Sequence, residues 1–124
     1  MSMNKNMGIY LVQPKGDHFR IIYNHRDQAK IKNKDKTLKV NNEFIKFGKS
    51  ENLDQRHKEY QEIFGEDVIF KKIKYFIEKT KMEFFEKDLR DKFIKYRVKS
   101  PNRGRLLEWM NGINIKDAEK IINK

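Results

Sequence analysis

The sequence predicts a small α/β (α+β) domain in which a mixed or antiparallel sheet of three to four strands is covered by two or three helices. Three observations favour this class. Short β-prone segments fill the first half of the chain, capped amphipathic segments follow them, and 124 residues suffice for one hydrophobic core but not for two. We therefore expect a single domain over residues 1–124, with its core at 7–100 and a closing segment at 101–124.

Four segments have the pattern of strands. Gly8–Gln13 is apolar and β-prone, residues 19–23 are β-branched and aromatic, and residues 43–48 alternate before a glycine. Residues 68–77 carry apolar side chains of one parity, as a half-buried strand does. Residues 30–36 are basic and weakly apolar, which predicts an exposed loop between strands.

Helix signals dominate the second half of the chain. A first helix is expected to begin at residues 50–52, where Ser or Asn can cap it, and to end at Gly65. Residues 105–110 fit a short helix or a strand. Asn114 is expected to open a terminal helix over residues 115–122.

The second helix has the clearest signal. Thr80 and Glu83 fit a capping box, in which each side chain satisfies a free backbone N–H at the start of the helix. An apolar stripe follows at helical spacing, formed by Phe85, Leu89, Phe93 and Tyr96. We expect this stripe to be buried against the sheet.

The charge of the chain indicates a polyanionic partner. It contains 29 Lys and Arg residues against 18 Asp and Glu residues, a formal net charge of +11. Residues 1–50 carry +7 of this excess and residues 51–124 carry +4. Basic side chains that neutralise phosphates release counterions, so binding is strong and salt-dependent. We expect DNA as the partner, with RNA as an alternative; coding bias in an AT-rich genome is a second explanation for the lysines.

The absence of cysteine excludes several kinds of site. A disulfide scaffold, a cysteine-ligated zinc or iron–sulfur site and a cysteine nucleophile are all impossible, and His18, His25 and His57 are too scattered to indicate zinc. Any metal must be bound by oxygen atoms. Because the sequence has neither a membrane-spanning apolar stretch nor the layout of a signal peptide, we expect an intracellular protein without a membrane partner.

Polar residues at the ends of the predicted elements indicate a phosphodiester-cleaving site. Arg56 and Tyr60 lie one helical turn apart, on one helix face, close to the sheet edge from which Lys49 emerges. Such a site needs a cation to hold the scissile phosphate and a phenol or amine to direct the attacking water. It also needs a carboxylate to bind a divalent cation, for which Glu86 is the candidate.

This set of residues resembles the motifs of the GIY-YIG nuclease superfamily. The matching segments are Gly8-Ile9-Tyr10, Gly48-Lys49-Ser50, Asn52-Leu53, Arg56, Tyr60 and Glu86. The resemblance covers residues 8–96 and extends toward Met110. Where the second motif of the superfamily reads Tyr-Ile-Gly, this chain has Lys46-Phe47-Gly48, which is similar to a branch common in phages and large DNA viruses. That branch also carries segments similar to Tyr96-Arg97-Val98 and Glu108-Trp109-Met110.

The resemblance implies a metal-dependent DNA endonuclease that hydrolyses one strand per active site. It implies that Tyr10 directs the nucleophile, that Arg56 lies at the scissile phosphate with Lys49 beside it, and that Glu86 binds Mg²⁺ or Mn²⁺. Tyr60 stands where members of the superfamily carry His or Tyr.

The replacement of the second-motif tyrosine by Lys46 leaves the path of the proton open. Tyr60, Lys46 and Lys49 are the candidates to assist Tyr10. A lysine acts as a base near neutral pH only where burial and a neighbouring cation lower its pKa.

Each candidate also has a purely structural interpretation. Tyr10 fits a core aromatic residue, the basic residues fit a solvated surface, and Glu86 fits a helix glutamate paired with Arg90 four residues later. Glu83 is the alternative metal-binding carboxylate, although the capping box accounts for it better.

The sequence leaves two other functions open, which are a non-catalytic nucleic-acid-binding module on the same fold and a protein-interaction factor. Arg97, Arg103 and Arg105 are expected to contact the DNA backbone, which positions DNA without specifying its sequence. Trp109 is expected to close the core and Glu108 to anchor the C-terminal segment, while His18 and His57 are expected at the surface.

Overall fold

The computed structural model describes residues 6–22, 38–99 and 106–124. The strands in these ranges are β1 Gly8–Gln13, β2 Arg20–Ile22, β3 Leu38–Val40, β4 Phe44–Ser50, β5 Ile69–Tyr75, β6 Arg97–Lys99 and β7 Leu106–Asn111. The helices are α1 Leu53–Phe64, α2 Lys79–Lys92 and α3 Ile115–Ile122. The predicted α/β (α+β) class is therefore confirmed.

Five strands form one antiparallel sheet in the order β5-β1-β4-β7-β6. The predicted count of three to four strands is too low for this sheet. The predicted strand β2 pairs instead with β3 in a separate two-stranded sheet. β3 and β6 escaped prediction because three residues are too few to show an alternating pattern, so the conformation of each depends on the strand it pairs with.

The two faces of the large sheet carry separate hydrophobic clusters. Successive side chains of a strand point to opposite faces. Ile9 and Leu11 on β1 pack with Phe47 on β4 against α2 and α3, and we call this side the α2 face. Tyr10 and Val12 point to the other side, where α1 packs, and we call it the α1 face. Trp109 is buried on the α1 face, which confirms its predicted role in closing the core.

The predicted caps of α1 and α3 are confirmed. The side chain of Asn52 accepts the backbone N–H of Gln55 at 3.1 Å, and Gly65 ends α1 with a φ of 103°. Asn114 accepts the N–H of Asp117 at 2.8 Å in the same way. Each asparagine satisfies an N–H group that the first helical turn would otherwise leave free.

The predicted start of α2 is wrong. The N-cap is Glu78, whose side chain makes no capping hydrogen bond, and the N–H of Met82 already donates to the carbonyl oxygen of Glu78 at 3.2 Å. Thr80 therefore lies inside the first turn, and the capping box with Glu83 does not form. The earlier start turns Met82 into the core.

The buried stripe of α2 also differs from the prediction. Leu89 and the following Phe93 are fully buried as expected, whereas Phe85 and Tyr96 are half-buried at its margin. Glu86 lies within the stripe and is 1% exposed. A carboxylate buried on the apolar side of a helix needs a charged or hydrogen-bonding partner, and the partners of Glu86 are described below.

Three smaller predictions complete the comparison. The segment predicted as a short helix or a strand at 105–110 is a strand in its described part, β7 Leu106–Asn111. The strand predicted at 68–77 is shorter, because Ile77 lies outside β5 and is exposed. The basic loop predicted at 30–36 lies outside the described residues.

In the part of the chain that the structure describes, no helix has the length and apolarity to cross a membrane.

Candidate active site

Tyr10 reaches Tyr60 across a glycine. Tyr10 on β1 is opposite Gly48 on β4, and a Cβ atom at position 48 would stand 2.5 Å from the Tyr10 hydroxyl oxygen. The missing side chain lets the Tyr10 phenol cross β4 and meet the Tyr60 hydroxyl at 2.9 Å. Both rings are almost fully buried, with exposed fractions of 1% and 2%. Gly48 thus provides the space that the contact between Tyr10 and Tyr60 requires.

Two cations stand beside these hydroxyl groups. Lys46 projects to the same face of β4 as Gly48, and its Nζ donates a hydrogen bond to the Tyr60 hydroxyl at 2.9 Å. Arg56 lies one turn before Tyr60 on α1, and its buried Nε has no hydrogen-bond partner among the described residues. The Glu59 carboxylate is 3.9 Å from this Nε, too far for a hydrogen bond. Arg56 thus has a buried donor without a partner, and its charge acts on the hydroxyl groups of Tyr10 and Tyr60.

The two tyrosines are neutral at physiological pH. Burial raises the pKa of Tyr60 to about 12. Burial also raises the pKa of Tyr10 well above its ordinary value, and Lys46 offsets only part of this rise. A phenol that stays protonated at physiological pH has almost no phenolate form to act as a base, but it can donate and accept hydrogen bonds. We call Tyr10, Lys46, Arg56 and Tyr60 the phenol cluster.

Glu86 is enclosed by basic side chains on the opposite face. Arg90, one turn later on α2, donates from Nε to one Glu86 oxygen at 2.9 Å and from Nη2 to the other at 3.1 Å. The Nζ of Lys49 is 3.9 Å from the second oxygen. This confirms the structural interpretation that Glu86 pairs with Arg90.

A second carboxyl group, that of Glu108 on β7, lies beside Glu86. Its Oε1 is 3.6 Å from Nη2 of Arg90. Burial raises the pKa of Glu108 to about 7, and a hydrogen bond to Glu86 and the charge of Glu86 add to the rise. The Glu108 carboxyl group therefore keeps its proton over a pH range in which an exposed glutamate is ionised. We call Lys49, Glu86, Arg90 and Glu108 the carboxylate cluster.

The raised pKa of Glu108 predicts a stability that falls with increasing pH. Between about pH 4.5 and 7 the unfolded chain releases this proton while the folded protein retains it, so folding loses free energy as the pH rises. Glu108→Gln cannot release a proton. From pH 5 to 7.5 we expect wild type to lose on the order of 1–2 kcal/mol more unfolding free energy than the variant, as urea titrations would measure. Parallel pH profiles would contradict this prediction.

The two clusters lie on opposite faces of the sheet. Lys46 and Lys49 are three positions apart on β4 and therefore point to opposite sides. Tyr10, Lys46, Arg56 and Tyr60 are brought together on the α1 face, as expected, whereas Lys49 and Glu86 were expected at the same site and lie on the other face. Lys49 is brought to Glu86 on the α2 face. The structure thus gives Lys46 the place beside Arg56 that the resemblance gave to Lys49.

The strand pairs between β4 and β7 cover only the first part of β4. The pairs between these strands run from Phe44 with Asn111 to Lys46 with Trp109, although β4 continues to Ser50. Glu108 lies just beyond the last pair. Burial and Glu86 raise the pKa of Glu108, and the positive charge of Lys46 partly offsets this rise. The two clusters therefore interact electrostatically.

Glu108 was not predicted as a site residue, and Arg90 was considered only as an ion-pair partner of Glu86. Glu108 was expected to anchor the C-terminal segment, and its place between two apolar residues gave no sign of a partner carboxylate. The available signal was parity, because Glu108 and Met110 share a strand face and Met110 is a core residue of the α2 face.

Of the three arginines expected to contact DNA, the structure describes only Arg97. The guanidinium group of Arg97 donates to the carbonyl oxygens of Leu107 at 2.8 Å, Leu106 at 2.9 Å and Arg90 at 3.3 Å. These bonds tie β7 to the C-terminal end of α2 and use donors that a phosphate would need. Arg103 and Arg105 lie outside the described residues.

His18 and His57, the histidines within the described ranges, are not part of either cluster. The ring of His57 stacks on Phe70 with the centroids 4.7 Å apart, at the margin of the α1 face. His18 is exposed next to Asp17, as expected for a surface residue.

The carboxylate cluster fits a hard divalent cation in donor chemistry. Glu86 and Glu108 supply adjacent carboxyl oxygens, the donor type that Mg²⁺ and Mn²⁺ prefer, and a cation would offset the Glu86 charge that helps to raise the pKa of Glu108. Among the described residues, no group of three or more His, Cys, Asp or Glu side chains is found. The remaining ligands would have to be water or substrate oxygens, and Arg90 would have to release part of Glu86.

Comparisons with models of protein families, with curated proteins and with solved structures found no match to this chain. The similarity to GIY-YIG nucleases therefore depends on the motif residues and on the clusters they form.

Proposed function

We propose that this protein is a small metal-dependent DNA endonuclease that hydrolyses one strand per active site. The observation that carries the proposal is the phenol cluster, in which Lys46 donates to the Tyr60 hydroxyl, the Tyr60 and Tyr10 hydroxyls meet, and the charge of Arg56 acts on both. Two cations around paired hydroxyl groups suit a phosphate group and the charge that develops on it during cleavage.

Arg56 and Lys46 would bind the scissile phosphate. The Arg56 side chain is 29% exposed although its Nε is buried, and Lys46 is half-buried. The neutral hydroxyl groups of Tyr10 and Tyr60, held by each other and by Lys46, would orient the attacking water. These side chains are fixed before the substrate arrives, which is how a site stabilises a transition state without reorganising.

Glu86, with Glu108 beside it, would hold Mg²⁺ or Mn²⁺. Such a cation would supply neutralisation of the negative charge that develops during cleavage. In the metal-free protein Lys49 adds its positive charge to that of Arg90 beside Glu86. With one such site per chain, cutting both strands would need a second copy or a second binding event.

A non-catalytic nucleic-acid-binding module is the second candidate. It is favoured by the burial of Tyr10, Tyr60 and Glu86, which leaves few catalytic atoms accessible, and by the hold of Arg90 on both Glu86 oxygens. The basic charge of the chain suits either function equally.

One experiment separates the two functions. A duplex oligonucleotide should bind in EDTA, and its affinity should fall steeply between about 50 and 200 mM salt, because phosphate neutralisation releases counterions. Supercoiled plasmid should then be converted to the open circular form when Mg²⁺ or Mn²⁺ replaces EDTA. Binding without nicking would favour the module, and the absence of binding at low salt would contradict both functions.

A further inference from the structure

Arg90 occupies the atoms of Glu86 that a cation would need. Its Nε and Nη2 each donate to a different oxygen of the carboxylate. The Glu86 side chain is 1% exposed, whereas the Arg90 side chain is 46% exposed. Arg90 therefore separates the carboxylate from solvent and approaches it from the solvent side.

A carboxylate buried this deeply requires a counter-charge. An unpaired charge in the interior is strongly destabilising, and a planar guanidinium group matches a carboxylate with two parallel hydrogen bonds. Lys49 contributes charge but no hydrogen bond, because its Nζ is 3.9 Å away. In the absence of a metal ion, Arg90 is thus the main counter-ion of Glu86.

A second acceptor for Arg90 lies within reach. The distance from Nη2 of Arg90 to Oε1 of Glu108 is 3.6 Å, slightly beyond a hydrogen bond. A small rotation of the guanidinium group would exchange Glu86 for Glu108 as its partner, and this would free an oxygen of Glu86 without leaving Arg90 unpaired.

We propose that Arg90 is a built-in competitor that holds Glu86 in the metal-free protein and moves toward Glu108 when a divalent cation binds. This inference depends on the proposed cation site at Glu86. It adds that the cation affinity of the site is set by an intramolecular ion pair, so that the site stays closed when the cation concentration is low.

The test is the affinity for Mn²⁺ alone, measured by calorimetry and by electron paramagnetic resonance without DNA. Arg90→Gln should bind Mn²⁺ about tenfold more tightly than wild type, since a charge-assisted ion pair no longer has to be broken. Lys87→Gln is the matched control, because Lys87 is exposed on the same helix and makes no ion pair in the described part of the chain. It removes the same charge and should leave the affinity unchanged.

Arg90→Lys provides a second variant in case the glutamine variant does not fold. It retains the charge and loses the paired hydrogen bonds, so we expect an affinity between those of wild type and the glutamine variant. Weaker or equal Mn²⁺ binding by the folded Arg90 variants would overturn the inference and assign Arg90 to holding Glu86 in position. If the variants bind Mn²⁺ more tightly but no protein nicks plasmid, the proposed function fails and the competition stands.

Discussion

Replacing Gly8 by alanine is expected to lower the free energy of unfolding by about 3 kcal/mol, because the new methyl group has no space. A Cβ atom at this position would overlap the backbone carbonyl oxygen of Lys74 on the neighbouring strand β5. Backbone of a paired strand cannot turn away as a flexible side chain can. The substitution should therefore separate β1 from β5 at the Gly8–Tyr75 pair.

Gly16→Ala is the control for this prediction. Gly16 has a φ of 89° and open space around its Cα, so alanine there meets only the backbone strain of a left-handed conformation, about 1 kcal/mol. Urea titrations of both variants would measure the difference, which isolates the steric overlap. A Gly8→Ala protein no less stable than Gly16→Ala would contradict the close approach of β1 and β5.

Elements with strong local signals could be predicted from the sequence. β1 and β4 are continuous β-prone runs, and α1 and α3 begin at asparagines whose side chains satisfy the first free N–H groups. Each of these signals lies within a few residues of the element it specifies, so no knowledge of the tertiary structure was needed.

Elements that depend on their neighbours could not be predicted in the same way. The three residues of β3 and of β6 become strands through pairing with β2 and β7. The start of α2 was misplaced because Thr80 and Glu83 match a capping box in sequence, whereas the burial of Met82 requires an earlier first turn. Local capping preferences contribute about 1 kcal/mol, which the burial of a methionine exceeds.

In the candidate site, too, the contacts with a local sequence signal could be predicted and those that depend on the tertiary structure could not. Arg56 and Tyr60 were expected together because one helical turn separates them, and the contact of Tyr10 with Tyr60 agrees with that expectation. The division of Lys46 and Lys49 between two faces follows from strand parity, but it becomes visible only once the register of β4 with β1 is known. The approach of Glu108 to Glu86 joins a strand and a helix that are distant in sequence, and no local pattern reports it.

The second prediction concerns the two residues on which the proposed activity depends most. Arg56→Ala removes the donor expected at the phosphate, and Glu86→Gln removes the carboxylate charge expected to hold the cation. Each substitution should reduce plasmid nicking at least about 100-fold, the usual cost of losing a group that stabilises transition-state charge. The effect should fall on the rate of cleavage at saturating protein.

Both substitutions have matched controls. Lys58→Ala removes an exposed cation from the same helix as Arg56, and Glu83→Gln removes an exposed carboxylate from the same helix as Glu86. Because Glu83 is also the alternative metal-binding residue from the sequence, its variant tests the choice between the two carboxylates. Circular dichroism would establish that all four variants are folded, which matters most for Glu86→Gln because Arg90 then loses its charged partner.

The most direct test of the proposed active site is therefore the Mn²⁺-dependent nicking rate of supercoiled plasmid by these four folded variants and by wild type. The proposed site predicts that Arg56→Ala and Glu86→Gln each lose at least about 100-fold, while Lys58→Ala and Glu83→Gln stay within about threefold of wild type. Nicking by both Arg56→Ala and Glu86→Gln at the wild-type rate would contradict it.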